Sequence, residues 1–340
     1  MLETFRQFLR LIRLPNLLFI IIAQVLLQYC LVVPMLEVVP GEQAFSHLNF
    51  FLLVFSTVLV AAAGYVINDY FDLKIDAINK PERTWIGNRI HRRSAIFLHG
   101  ALSVAAIGAG IFLAWEAGSW KLALIHPVCT GALWFYSTHY KRQFLTGNLI
   151  VALLTALVIV IVPLFQFRLF LPVDVNTEVG IGAQLAADHN LILKSIMVIL
   201  AMYALFAFLL SMYREVVKDM EDVQGDSTEK CNTIPVALGV RRAKYVALFF
   251  VFFLLALLLL FAFLHLKNII FWALWLRLYM SEPVFLYMLI TVMLPLIYSA
   301  YRLWKAESQK DFHRVSSLIK AAMFAGIISP ALVYLLYRYL

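Results

Sequence analysis

Apolar positions dominate this chain in long, nearly unbroken runs, each divided from the next by a short polar stretch. Runs of that length match the roughly 20 residues a helix needs to cross about 30 Å of hydrocarbon, and a helix satisfies its own backbone hydrogen bonds there. The pattern predicts an all-α, polytopic membrane protein with about nine transmembrane helices in a bundle, at 15–34, 48–67, 94–114, 119–137, 147–166, 192–212, 243–265, 283–301 and 316–337. A shorter apolar segment at 269–280 reads as interfacial or re-entrant, with Trp272, Trp275 and Tyr279 near the headgroups. No room remains for a soluble unit, so 1–340 is expected to form a single transmembrane domain with acidic loops near 68–93 and 213–242.

Composition agrees: 63% of the 340 residues are hydrophobic and 14% charged, with a mean hydropathy of +0.86, outside the range of soluble domains. Arg6, Arg10 and Arg13 precede the first apolar run as in a signal peptide, but no small-residue cleavage pattern follows Leu36, so this helix is expected to be retained. Cys30 and Cys129 fall inside spans and Cys231 in a loop, which disfavours disulfides and leaves no zinc spacing.

The net charge of +8 is distributed by loop. Alternate connections and the amino terminus collect 22 of the 28 Lys and Arg residues, which marks that face as cytoplasmic in a cell inner membrane. The basic character is thus topological and calls for membrane lipids as surroundings, with no nucleic acid as partner.

Half of the acidic residues lie in two short segments on this face. Asp69, Asp72 and Asp76 in the first correspond to Asp219, Asp222 and Asp226 in the second, offset by 150 at each position. The spacing i, i+3, i+7 sets three carboxylates within about 60° on one helical face. Asn68 adds an amide four residues before Asp72, and Arg92-Arg93 and Arg241-Arg242 follow at nearly equivalent distances, so the two halves read as a degenerate repeat with the loops face to face. Carboxylates so crowded repel one another unless a cation lies between them. Hard oxygen donors in this number suit Mg2+, which takes one or two carboxylates and completes its shell with water and phosphate oxygens. Solvated loops balanced by neighbouring Lys and Arg are the plainer alternative.

These residues resemble the UbiA superfamily of intramembrane prenyltransferases. Asn68-Asp69-Tyr70-Phe71-Asp72-Leu73-Lys74-Ile75-Asp76, followed by Asn79-Lys80-Pro81-Glu82-Arg83, fits one signature of that family. Arg214-Glu215-Val216-Val217-Lys218-Asp219-Met220-Glu221-Asp222-Val223-Gln224-Gly225-Asp226, with Thr233-Ile234-Pro235-Val236 downstream, fits the other and looks closest to the branch that alkylates a lipid glycerol phosphate. The Arg13-Leu14-Pro15-Asn16 opening and the stretch from Tyr136 to Asn148 extend the likeness over most of the chain. Thr84 and Cys231-Asn232 depart from the pattern without removing an acidic ligand.

The resemblance implies Mg2+-dependent transfer of a prenyl group from a polyprenyl diphosphate donor to a lipid acceptor, with a phenolic acceptor as the nearest alternative. It implies metal sites at Asn68, Asp72 and Asp76 and at Asp219, Asp222 and Asp226, with Asp72, Asp76, Asp222 and Asp226 catalytic. Lys141, Arg142, Arg214, Lys218 and Tyr136 are candidates around the diphosphate, and Tyr65, Tyr70 and Tyr136 for facing an allylic cation. Arg89, His91, Arg92 and Arg93 suit either an acceptor phosphate or anchoring at anionic headgroups. A cation-coupled transporter is the rival from another class, but its acidic site belongs near the bilayer midplane, whereas here the span interiors lack charge.

Overall fold

The computed structural model describes residues 2–37, 45–79, 86–87, 90–166, 181–266 and 281–339. The interfacial segment at 269–280, residues 80–84 after the first acidic motif, and Arg89 lie outside the described residues.

A short helix, α1 (Leu2–Leu11), turns through Arg13, at φ 52°, into α2 (Leu14–Glu37). Pro15 sits in the first turn of α2, where its missing N–H costs no helical hydrogen bond. Helix α3 (His47–Phe71) is capped by the Ser46 hydroxyl, which accepts from the Asn49 N–H at 3.2 Å. The short α4 (Leu73–Asn79) follows, then α5 (Arg92–Glu116), α6 (Ile125–Thr138) and α7 (Thr146–Leu164). The second half repeats a long helix, α8 (Ile181–Glu221), with a short one, α9 (Val223–Thr228). It continues through α10 (Ile234–Leu238), α11 (Val240–Leu266), α12 (Glu282–Lys305) and α13 (Gln309–Tyr339).

Among the described residues, eight helices are long and apolar enough to cross a membrane, and the chain is an integral membrane protein. The fourth expected span, at 119–137, is a 3-10 turn, Trp120–Leu124, leading into α6. Turn and helix together rise about 31 Å at 1.5 and 2.0 Å per residue, so the segment reaches across the bundle without one long helix. Helices α3 and α8 run past their expected ends at 67 and 212, reaching Phe71 and Glu221. Backbone hydrogen bonding does not stop where hydrocarbon ends, so the first residues of each acidic motif are helical and not in loops.

Helix α3 packs on α5 and α6, α8 packs on α7, α11 and α13, and α2 touches α3, α7 and α13. Glycine permits two of these approaches: a Cβ on Gly64 would fall 2.8 Å from Leu133, and one on Gly110 only 2.3 Å from His126.

Candidate active site

The two acidic motifs share one backbone plan. The long helix ends just before the middle aspartate, which adopts φ −88°, ψ 3° at Asp72 and φ −97°, ψ 6° at Asp222, and a short helix resumes at the next residue. Both values fall in the sparsely populated bridge region, where a chain is redirected by one residue. The expected unbroken helical face is thus corrected: Asp69 and Asp219 remain on the long helices, whereas Asp76 and Asp226 lie on the short ones. Carboxylates at a helix carboxy terminus face the negative end of its dipole, so this construction needs positive charge nearby.

Asn79 brings the motifs together. Its Nδ2 donates to the Asp222 carbonyl at 3.0 Å, and its Oδ1 accepts from the Gly225 N–H at 2.9 Å. Helices α4 and α9 are in contact, and Asp226 feels the charges of both Asp222 and Asp72. Burial, and then those two carboxylates, push the Asp226 acid up to about 6 against a hydrogen bond from Thr233 Oγ1 at 3.1 Å. The two loops therefore form one electronegative centre.

Asp69, Asp72 and Asp219 each have a defined partner. Asp69 turns aside to Arg13, with Nη2 2.6 Å from its carboxylate. Asn68 Nδ2 donates to one Asp72 oxygen at 2.8 Å, and the Lys141 ammonium contacts the other. Asp219 accepts from Asn148 Nδ2 at 2.7 Å. Lys141 belongs to the 3-10 turn Tyr140–Arg142, which is tied to the second motif by the Asn232 N–H donating to the Arg142 carbonyl at 2.8 Å. Gly147 lets α7 start against that turn, since a Cβ there would lie 2.8 Å from Lys141 Cα. Arg142 is exposed at the rim. Glu215 is buried and ion-paired with Arg214 at 3.0 Å and Lys218 at 3.6 Å. Tyr136 stands among Lys218, Glu215, Asp72 and Asp219.

Beneath this centre lies a cavity of about 380 Å³. Its walls follow helical spacing: Thr57, Val60, Ala61, Gly64 and Asn68 on α3, and Tyr203, Ala207, Leu210, Arg214 and Lys218 on α8. Polar residues occupy the end beside the acidic motifs, and mostly apolar ones the interior. Tyr65 and Tyr136 line it as well. Tyr70 does not: it is half-buried and packs edge-on against Phe71 beneath the Arg92 guanidinium, 4.9 Å from the ring.

The donor set fits a hard divalent cation. Asp72 and Asp222 both act on the buried Asp226 acid, so carboxylates of the two motifs lie within one another's field. Among the described residues no group of three or more acidic, His or Cys side chains is placed to hold a metal ion, and an ion that takes one or two carboxylates and draws the rest of its shell from water and phosphate does not require one. Sequence reasoning passed over Asn79, Asn148 and Thr233 as site residues. All three lie within stretches that carry the family likeness, but only the fold reveals that they hold the acidic backbone and side chains in place.

Facing acidic motifs over an apolar cavity, inside a helical bundle, define an intramembrane enzyme for substrates with an anionic head and a hydrocarbon tail. The chain belongs to the UbiA prenyltransferase family, whose profile matches residues 30–328. A digeranylgeranylglyceryl phosphate synthase of Thermococcus kodakarensis is 31% identical over 280 residues, covering 82% of each chain. A solved structure described as a digeranylgeranylglyceryl phosphate synthase in membranes superposes with a TM-score of 0.58 at 23% identity, over 98% of this chain and 99% of that one. A UbiA homolog from Archaeoglobus fulgidus, bound to DMAPP and Mg2+, superposes with a TM-score of 0.55 at 18% identity, over 94% and 99%.

Proposed function

We propose that this prenyltransferase moves a prenyl group from a polyprenyl diphosphate to the hydroxyl of a prenylglyceryl phosphate at the cytoplasmic face, releasing pyrophosphate, with the whole chain acting as one domain. The observation that carries it is the Asn79 bridge to Asp222 and Gly225, which keeps the two acidic motifs together at the mouth of an apolar cavity. The branch-like second motif and the Thermococcus kodakarensis relative support the lipid acceptor.

Asn68, Asp72 and Asp76 would hold one Mg2+, and Asp219, Asp222 and Asp226 a second; the Archaeoglobus fulgidus homolog was solved with this ion. Bound there, magnesium supplies positive charge against that growing on a departing diphosphate. Lys141, Lys218 and Arg142 contact diphosphate oxygens. The cavity takes the hydrocarbon tail and excludes water, so the allylic carbon stays reactive while its bond to oxygen lengthens. The ring face of Tyr136 meets the developing cation, whereas the Arg13 guanidinium already lies over the Tyr65 ring, 4.9 Å from its centre. The C–O electron pair leaves with the diphosphate, the acceptor oxygen forms the new ether bond, and its proton passes to the released diphosphate.

Purified protein in nanodiscs, given Mg2+, labelled geranylgeranyl diphosphate and geranylgeranylglyceryl phosphate, should release pyrophosphate and yield a doubly prenylated lipid. Parallel reactions with 4-hydroxybenzoate and dihydroxynaphthoate should give no labelled product. Asp72→Ala and Asp222→Ala should each lose at least about a hundredfold in turnover, the order observed when a stabiliser of transition-state charge is removed, while eluting as folded protein. Normal turnover by both variants would remove the acidic motifs from the reaction.

A further inference from the structure

The cavity mouth carries more positive charge than the diphosphate centre uses. Arg13, Arg214, Lys218 and Lys320 all line it. Arg13 is matched by Asp69, whereas Arg214 and Lys218 share Glu215. Among the described residues Lys320 has no carboxylate partner. Its ammonium donates to Asn16 Oδ1 at 2.7 Å and lies 5.8 Å from the Phe19 ring, and the charge it feels most is that of Arg214, which repels it.

Lys320 is also in an unusual place for an idle lysine. It sits on α13, eleven residues beyond Gln309, or about 16 Å along the helix at 1.5 Å per residue. It faces the bundle interior, in contact with the start of α2, and not the lipid. Lys320 is only partly withdrawn from solvent, and an ammonium that lines a cavity without a carboxylate partner is open to an anion that enters it. The acidic motifs lie on α3–α4 and α8–α9, so Lys320 and Asn16, on the last and first long helices, form a different wall of the same chamber.

A second anion belongs at that wall. The donor diphosphate is provided for by the acidic motifs with their cations and by Lys141 and Lys218. An acceptor that carries a phosphate monoester brings a further two negative charges at neutral pH, and these need their own partners within one chamber. We infer that Lys320, held by Asn16 and assisted by Arg214, binds the phosphate of the acceptor lipid, and that this wall selects a phosphate-bearing acceptor. The inference deepens the proposed function and rests on it. Arg214 is thereby moved from the diphosphate, where its sequence neighbourhood had set it, to the acceptor. A phosphate ester accepts several charge-assisted hydrogen bonds at once, which suits an ammonium and a guanidinium set side by side.

The test uses full-length protein in nanodiscs with Mg2+, varying geranylgeranylglyceryl phosphate and geranylgeranyl diphosphate separately. Lys320→Ala should raise KM for the acceptor by about tenfold or more, as the loss of a hydrogen bond to a charged group would, and leave KM for the donor within about twofold. Lys320→Arg should restore most of the acceptor KM. Glycerol phosphate should compete with the acceptor in the wild-type protein and not in Lys320→Ala. An unchanged acceptor KM in Lys320→Ala, or equal rises in both KM values, overturns the phosphate site while the proposed function stands. Wild-type protein that ignores geranylgeranylglyceryl phosphate and prenylates 4-hydroxybenzoate overturns the function, and the phosphate site with it.

Discussion

Asn79 and Gly225 show how much of this site rests on groups that carry no charge. The Asn79 amide satisfies a carbonyl and an N–H of the opposite motif, and Gly225 leaves space for it: a Cβ at 225 would fall 2.4 Å from Asn79 Nδ2. Gly225→Ala should therefore push α4 away from α9 and weaken Mg2+-dependent turnover by about tenfold or more, the scale of a hydrogen-bonded pair lost with its polar groups left buried. Asn79→Ala should do the same. Because both changes break one contact, the double variant should be no worse than the poorer single one. Kinetics at several Mg2+ concentrations would decide, and losses that simply multiply would show that Asn79 and Gly225 act separately. Asp69 teaches the complementary lesson: an aspartate inside the signature is taken up by Arg13, so spacing alone did not settle which carboxylates have a basic partner of their own.

At the scale of elements, hydropathy made the spans legible because lipid demands an apolar run of fixed length, and most expected boundaries lie within a few residues of the helices. The 150-residue offset of the two motifs was legible too, and their middle aspartates, Asp72 and Asp222, have matching backbone angles. The helix breaks themselves were not legible, since the contact that accompanies them joins residues 143 positions apart. The same reason hid Lys320, whose partner Asn16 is 304 residues away and whose own neighbours are ordinary helix formers. The shortness of α6 was hidden as well, because an apolar 3-10 turn and an apolar helix have the same hydropathy. Helix α6 is positioned in part by His126, whose Nε2 lies 2.9 Å from Ser56 Oγ on α3 while its ring fills the space above Gly110 on α5. Gly110→Ala would set a methyl group 2.3 Å from His126 Nδ1 and should cost about 1–3 kcal/mol, the usual range for overpacking a filled interior. Thermal unfolding in detergent would measure it, and adding His126→Ala should recover part of the loss. A Gly110→Ala protein as stable as the parent would mean that α5 and α6 yield freely.

Across the whole molecule, helices from both halves enclose one cavity, and its depth should select the donor. From Lys218 at the polar end to Ala207 on the same wall of α8 is eleven residues, or about 16 Å. An extended isoprene unit spans about 5 Å at C–C bonds near 1.5 Å. A geranyl tail held by its diphosphate near Lys218 should thus stop short of Ala207, whereas a geranylgeranyl tail should pass it. Ala207→Phe would fill the lower cavity without touching the acidic motifs. Each methylene kept out of the apolar site forfeits about 0.8 kcal/mol, so excluding even a few carbons should lower kcat/KM for geranylgeranyl diphosphate by more than about tenfold. The value for geranyl diphosphate should stay within about twofold, since its tail never reaches the new ring. Equal losses with both donors would mean that the tail leaves the bundle above Ala207, and the cavity would then serve the acceptor's hydrocarbon instead.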